Sequence, residues 1–452
     1  MNDDDDGTNG RTRRTVVAGL GALGTTGLAG CISRLRGGSG GNGSQSSEGN
    51  GEGLTFWTTQ VENDRKQVIR DLLGRFESQK SSSVQMISIQ EDDLPTRISS
   101  ARASDTLPVV GEFGLSHMQK LGSNGVLSTQ AADDVIESIG KDKFYQGVLD
   151  LTQGPDGAHF AIPMHGWLQG FWYSQSVFEE HGLDRPTTWD SLLTAAETLH
   201  KPDQNQFGIV VGTKPTSFAR QCFTPFARSN DARVFDENGE IVFDSEKMVE
   251  ALEFYARLAE FTPPGKDSWE TANNTYLNDQ CHLVEYSTYL MGDVGDKGKE
   301  MVKDSKFAPH IENKRKSSFG QVVALNLFKS SSGEELKQGK TLSEFFMTGD
   351  AYIDWLHMAP GGMNPVLKPV AESDEYQSNE TLEAWGSTVE DISGAFENIE
   401  RFGYVNGEVF PEFGEITNQF HVAEAVSRVT DGEDAQTVAS EQAEKMRQTL
   451  SE

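Results

Sequence analysis

The sequence predicts an α/β protein, and three observations lead there. From Leu54 onward, short runs rich in β-branched and aromatic residues alternate with stretches whose apolar residues recur at helical spacing. The first such unit reads strand, helix, strand with a short return, which as a right-handed crossover implies parallel pairing. The chain has 452 residues, enough for two domains with sizeable cores.

Taken in order, residues 54–59 form the first strand and residues 84–89 the second. Between them Val68, Ile69, Leu72, Leu73 and Phe76 make one apolar helical stripe. A helix from about Leu94 to Ala103 and a strand from Pro108 to Gly111 continue the alternation. Gly154-Pro155-Asp156-Gly157 is a turn. Residues 161–170 read as a loop, because His165, Trp167 and Gln169 follow no helical period, and Phe171 to Phe178 reads as an aromatic strand. Thr188 is a good N-cap with Asp190 in the first turn, and Leu192, Ala195, Ala196 and Leu199 form the buried face of the helix that follows.

Residues 207–211 read as a strand, and residues 236–240 as a tight turn leading to Ser245, an N-cap before Met248, Val249, Leu252, Tyr255 and Leu258. Leu283 to Tyr289 is a short aromatic strand or loop, Val322 to Phe328 a buried strand, and Leu342 to Met358 helical with Trp355 near its end. Pro360-Gly361-Gly362-Met363-Asn364-Pro365 requires a permissive loop. From Ile416 the chain is helical and polar.

The 39 Lys and Arg against 69 Asp and Glu give a net charge of −30, which argues against a nucleic-acid partner, since phosphate binding needs clustered cations. The charge is spread along the chain. It fits an ordinary acidic protein or, more sharply, adaptation to high salt, where screening removes self-repulsion. Three cysteines, at 31, 222 and 281, offer neither a disulfide framework nor metal-ligand spacing, so no metal or cofactor is expected. Cys222 and Cys281 are read either as two buried thiols or as a pair that the fold brings together.

The N-terminus reads as an address. Arg13 and Arg14 precede a mild apolar run from Thr15 to Gly30, too short and glycine-rich for a stable membrane span. The paired arginines resemble a twin-arginine export signal, and Leu28-Ala29-Gly30-Cys31 resembles a lipobox in which Cys31 takes the lipid anchor. Residues 1–30 are then the signal peptide and residues 31–53 a Gly/Ser-rich tether that cannot bury apolar surface.

Four motifs in order carry a family resemblance over essentially everything from Leu54 onward. They are Leu54-Thr55-Phe56-Trp57, then Ala103-Ser104-Asp105-Thr106-Leu107-Pro108, then Ile162-Pro163 with Trp172-Tyr173 and Phe178. The strongest is Gly182-Leu183-Asp184-Arg185-Pro186-Thr187-Thr188-Trp189-Asp190 with Ala196. The chain thereby resembles the family 1 extracellular solute-binding proteins of ABC importers, the maltose-binding-like, sugar-recognising branch. It departs from the family at Val109, where Asp is usual, at Ser174, where Asn is usual, and at Tyr289, where Trp is usual.

The resemblance implies a two-lobed periplasmic-binding-protein-like fold (type II), its lobes joined by hinge segments around a ligand cleft. Lobe one would be 54–163 and 290–340, lobe two 164–289 and 341–452. It implies a carbohydrate ligand, ABC permease subunits as partners, a lipid-anchored monomer on the outer face of the membrane, and no chemistry of its own. Family positions that touch ligand fall on Trp57, Thr58, Glu112, Phe113, Ser116, His165, Trp167, Tyr286, Tyr289, Trp355, Gly361, Gly362, Met363, Asn364 and Phe413. Aromatic platforms for sugar faces, with a few well-placed polar groups, are what such a cleft needs. By local pattern, Trp172 and Trp189 read as packing residues. The alternatives are a secreted glycoside hydrolase, which needs two carboxylates about 5–9 Å apart, and a binding protein for a solute such as glycerol phosphate. The candidate loops hold no Arg or Lys for a phosphate.

Overall fold

The computed structural model describes residues 54–405 and 408–451. The export signal expected at Arg13 and Arg14, the lipidation expected at Cys31 and the tether through residue 53 lie outside the described residues.

The fold is α/β, organised around one large mixed sheet. Its main sheet contains β1 (Leu54–Thr58), β2 (Val84–Ser88), β3 (Val110–Gly114), β4 (Ile162–Ser174), β5 (Leu283–Ser287), β6 (Ser305–Ala308), β7 (Ile311–Glu312), β8 (Lys316–Leu327), β9 (Asn364–Pro365) and β10 (Ile399–Glu400). The central order is β2-β1-β3-β8-β4-β5. As the sequence pattern requires, β1 runs parallel to both β2 and β3, with the helix Asn63–Lys80 crossing over between β1 and β2. That helix buries Ile69, Leu72, Leu73 and Phe76 of the expected stripe.

Two strands organise everything else. β4 has 13 residues and β8 has 12, so each extends roughly 40 Å at the strand rise per residue. β8 runs antiparallel to β3. β4 pairs antiparallel with β8 over its first part, and from Gln169 onward with β5 and then β6. One continuous strand thus carries the chain from the β1–β3 side to the β5–β6 side.

The expectation of a loop at 161–170 is corrected: these residues are mostly the first half of β4. A missing helical period does not imply irregular backbone, since His165, Trp167 and Gln169 alternate, which is the period of a strand. A bulge between Pro163 and His165 interrupts that alternation at its start. The strand also stops at Ser174, and Phe178 lies on a short helix, Gln175–His181, packed on Tyr173 at 4.7 Å. Residues 207–211 make only isolated parallel bridges, Phe207 to Cys281 and Val210 to Val284. The helical stretch 342–358 is two helices, Gly333–Phe346 and Gly349–Leu356.

Other expectations hold. Thr188 caps the helix Trp189–Leu199 and forms a reciprocal capping box with Ser191. Trp189 is buried and stacks on Phe254 at 4.1 Å, while Trp172 is buried with its Nε1 donating to the Ser287 carbonyl at 3.3 Å. Cys222 and Cys281 are both buried free thiols.

Candidate functional site

Strand register gathers the polar candidates on one sheet face. Opposite partners share a face, and the pairs are Glu112 with Leu325, His165 with Val323, Trp167 with Gln321, and Gln169 with Phe319. Glu112, His165, Trp167, Gln169, Phe319 and Gln321 therefore line one side of the β3–β8–β4 strip. The same parity on β5 adds Ser287 and Glu285.

At the β1–β3 corner the carboxylate of Glu112 is completely buried. Its Oε2 accepts from the Thr58 hydroxyl at 2.8 Å, the Thr59 amide at 3.0 Å and the Thr59 hydroxyl at 3.1 Å. Its Oε1 accepts from Gln60 Nε2 at 3.0 Å and His165 Nε2 at 3.3 Å. Burial pushes its pKa up, but the bonds and charge of His165, then Thr58 and Thr59, outweigh it and hold the group below the usual glutamate value. Every acceptor position of this carboxylate is occupied by protein. It fixes the turn 58–60 against β4 and is not an open acceptor. Gln60 extends the network by accepting from Arg65 Nη1 at 3.2 Å.

Tryptophans on and behind the sheet differ in accessibility. Trp57 is buried, with the Arg97 guanidinium 5.5 Å over its ring and its Nε1 without a partner. Trp355 is buried among Phe56, Phe346 and His165, a support for His165 and not a free platform. Trp167 is half-buried and packs on Phe319 at 6.1 Å. Gln321 sits directly across from it, and its Nε2 lies close over Gly114, as does Glu91 Oε1.

Tyr286 and Tyr289 lie on the β5 side, where Tyr286, paired with Gly170, faces away from Glu285 and Ser287. Tyr286 is half-buried, edge-on to Trp269 at 4.9 Å and to Phe218 at 6.3 Å. Burial, then the nearby Asp293, pushes its hydroxyl up to about 12. Tyr289 is 38% exposed. Its ring lies against Gly362, where a Cβ would stand 2.2 Å from Cε1, and a Cβ at Gly361 would meet Met291 Sδ at 2.3 Å. Gly361 also has φ +81°, so this pair of glycines is required both for backbone conformation and for close approach. Asn364 is buried and ties three segments together: its Nδ2 donates to the Gly361 carbonyl at 2.6 Å, the Gly166 carbonyl at 3.2 Å and the Thr288 hydroxyl at 3.4 Å. Met363 beside it is core.

Three candidates stand apart from this cluster. Phe113 is buried on the opposite face of β3, edge-on to Phe328. Ser116 is exposed on the helix Leu115–Ser123. Phe413 is buried against Phe402 and Gly403. A surface concavity of about 330 Å³ lined by residues such as His200, Pro263 and Lys266 shares no residue with the candidate set.

Sequence reasoning missed several residues of this region. Phe319 and Gln321 precede the strand expected at Val322 to Phe328 and become recognisable only through their register with Gln169 and Trp167. Arg401 follows β10 and lies 5.0 Å over the Phe319 ring, donating to Gln321 Oε1 and to the Gly320 carbonyl. On the same face, Gln169 Nε2 donates to Cys222 Sγ at 3.1 Å and to Glu285 Oε1 at 3.4 Å. Burial drives the Glu285 carboxyl well above the ordinary range.

Comparison with known proteins gives these contacts a setting. Residues 66–280 match the family described as bacterial extracellular solute-binding protein. The chain is 29% identical over 381 residues to the putative ABC transporter periplasmic-binding protein YcjN of Escherichia coli K12, covering 84% of this chain and 88% of that one. Among solved structures it is similar to the sugar-binding protein MalE of Xanthomonas citri, with TM-score 0.72, 16% identity, and coverage of 88% and 97%. It is also similar to an ABC transporter solute-binding protein of Thermotoga lettingae TMO bound with α-D-tagatose, with TM-score 0.69, 17% identity, and coverage of 88% and 100%.

Proposed function

We propose that this chain, an extracellular solute-binding protein, is the ligand-capturing component of an ABC importer and that its ligand is a carbohydrate. The observation that carries the ligand class is the strip where β4 and β8 run together. There Trp167, Phe319 and Gln321 share a face. Aromatic faces match the C–H faces of a sugar ring, and amide groups match its hydroxyl edges. Relatives support the reading, since an arabinooligosaccharide-binding protein of Halalkalibacterium halodurans aligns over part of the chain at 29% identity.

In this reading the lobes are 54–163 with 290–340, and 164–289 with 341–452. Ligand bound to both favours the closed arrangement, and the permease takes ligand from that arrangement. Cys31 carries the lipid anchor after twin-arginine export, the tether holds a monomeric body off the membrane, and the net charge of −30 suits high salt. The protein performs no chemistry on its ligand. In support, Glu112, one of two buried carboxylates on this face, has its acceptor positions filled by protein donors.

A melting-temperature screen of mono- and oligosaccharides in high-salt buffer tests the function. A ligand present at 100 times its dissociation constant should stabilise by about 2.7 kcal/mol. Hydrolysis of a glycoside with no stabilisation by any sugar would overturn the transport reading.

A further inference from the structure

We propose that the ligand carries a negative charge, and that Arg220 and Arg401 receive the carboxylate or phosphate of an acidic carbohydrate. This rests on the carbohydrate reading above and narrows it.

Arg220 lies on the helix Ser217–Ser229, between Phe218, which packs on Trp269 and Tyr286, and Cys222, which accepts from Gln169. That helix packs against β8, the strand that carries Phe319 and Gln321. Arg401 reaches the same strand from beyond β10, over Phe319 and onto Gln321, next to Trp167. Arg220 is only 8% exposed, yet among the described residues its guanidinium has neither an ion pair nor a hydrogen bond. Arg401 donates only to uncharged oxygens, those of Gln321 and Gly320.

The contrast with Arg228, on the same helix as Arg220, is direct. Arg228 is equally buried, but it pairs with Glu400. Glu400 in turn is shared with Arg315, so it is committed away from Arg401. Burial first, and then the neighbouring charge of Arg401, lowers the Arg220 pKa to about 9. A buried cation without a carboxylate, with a second cation near enough to lower its pKa, is costly in the empty protein. A chain with 69 acidic residues has ample means to neutralise them. An incoming anion supplies what is missing. A guanidinium fork accepts carboxylate or phosphate oxygens two at a time, while Trp167 and Phe319 remain for the ring. The candidate loops do lack Arg and Lys, but these two arginines come from a helix and from the segment after β10.

Binding of glucuronate, galacturonate and glucose 6-phosphate to the full-length chain, compared with glucose and galactose at one ionic strength, tests this by calorimetry. At least one acid should bind about 10- to 100-fold tighter than its neutral parent, and R220Q and R401Q should each remove that preference. The uronates and the phosphate separate the two anion chemistries. R220M, which keeps the apolar stem, should raise the melting temperature of the empty protein. Equal affinity for acids and neutral sugars would overturn the inference and leave the carbohydrate reading standing, whereas binding of neither would remove both. A preference that survives R220Q and R401Q, or a lower empty-state melting temperature for R220M, also overturns it.

Discussion

At the β1–β3 corner the carboxylate of Glu112 meets five donors, whereas the guanidinium of Arg220, almost as deeply buried, meets none among the described residues. Both charges have left water, and only one has been compensated. A saturated buried charge is a structural joint: removing it strands its partners. An unsaturated one costs stability in the empty protein, which is tolerable where a ligand later completes it. The same distinction separates Trp355, enclosed by Phe56, Phe346 and His165, from half-buried Trp167, which rests on Phe319 alone among its ring contacts.

The sharpest way to break the comparison is at Glu112. E112A leaves buried donors on Thr58, Thr59, Gln60 and His165 unpaired and should cost about 3–5 kcal/mol in a urea titration. A loss below 1 kcal/mol would mean that the network is not a joint. Because the folded pKa of Glu112 lies below 4.5, its contribution is complete above that value and is lost as pH falls through the folded pKa. The wild-type stability profile should therefore steepen on the acid side, and the E112Q profile should be flatter there.

W355A should cost about 3–5 kcal/mol by opening a cavity in the core. W167A should cost no more than about 2 kcal/mol but abolish sugar-induced stabilisation. Equal destabilisation by the two would place Trp167 in the core. G361A forces a side chain into a left-handed backbone and against Met291, so a loss of about 1–3 kcal/mol is expected in thermal melts.

The smallest effect at mild acidity belongs to Glu285. Its folded pKa is raised, so the folded state holds a proton that the unfolded state releases above about 4.5, and stability should decline as pH rises from there. E285Q should remove that decline, visible as a growing stability advantage between pH 5 and pH 8. Identical slopes for wild type and E285Q would show that the carboxyl finds compensation in the folded protein.

Much of this was legible beforehand where the controlling interactions are local. The stripe Ile69, Leu72, Leu73, Phe76 and the cap Thr188 were readable because helix periodicity and capping span a few residues. The glycine pair 361–362 was readable as permissive backbone for the same reason. The strand at 162–170 was misread because its register is set by β8, some 150 residues later in the chain. Trp57, Trp167 and Trp355 could not be ranked by local pattern, since burial depends on what other segments place over each ring.

By itself, the sequence determined the alternation of strands and helices, the family resemblance and the acidity, because these reside in periodicity, short motifs and composition. Only the tertiary structure decided which polar groups are already satisfied. Glu112 finds its donors on β1 and β4, and Asn364 ties together β4, Thr288 and its own loop. Arg220 and Arg401 lie 181 positions apart in the sequence, yet in the fold the charge of Arg401 adds to burial in lowering the Arg220 pKa. Hydrogen bonding and desolvation depend on distances between segments, and those distances exist only once β4 and β8 have brought the segments together.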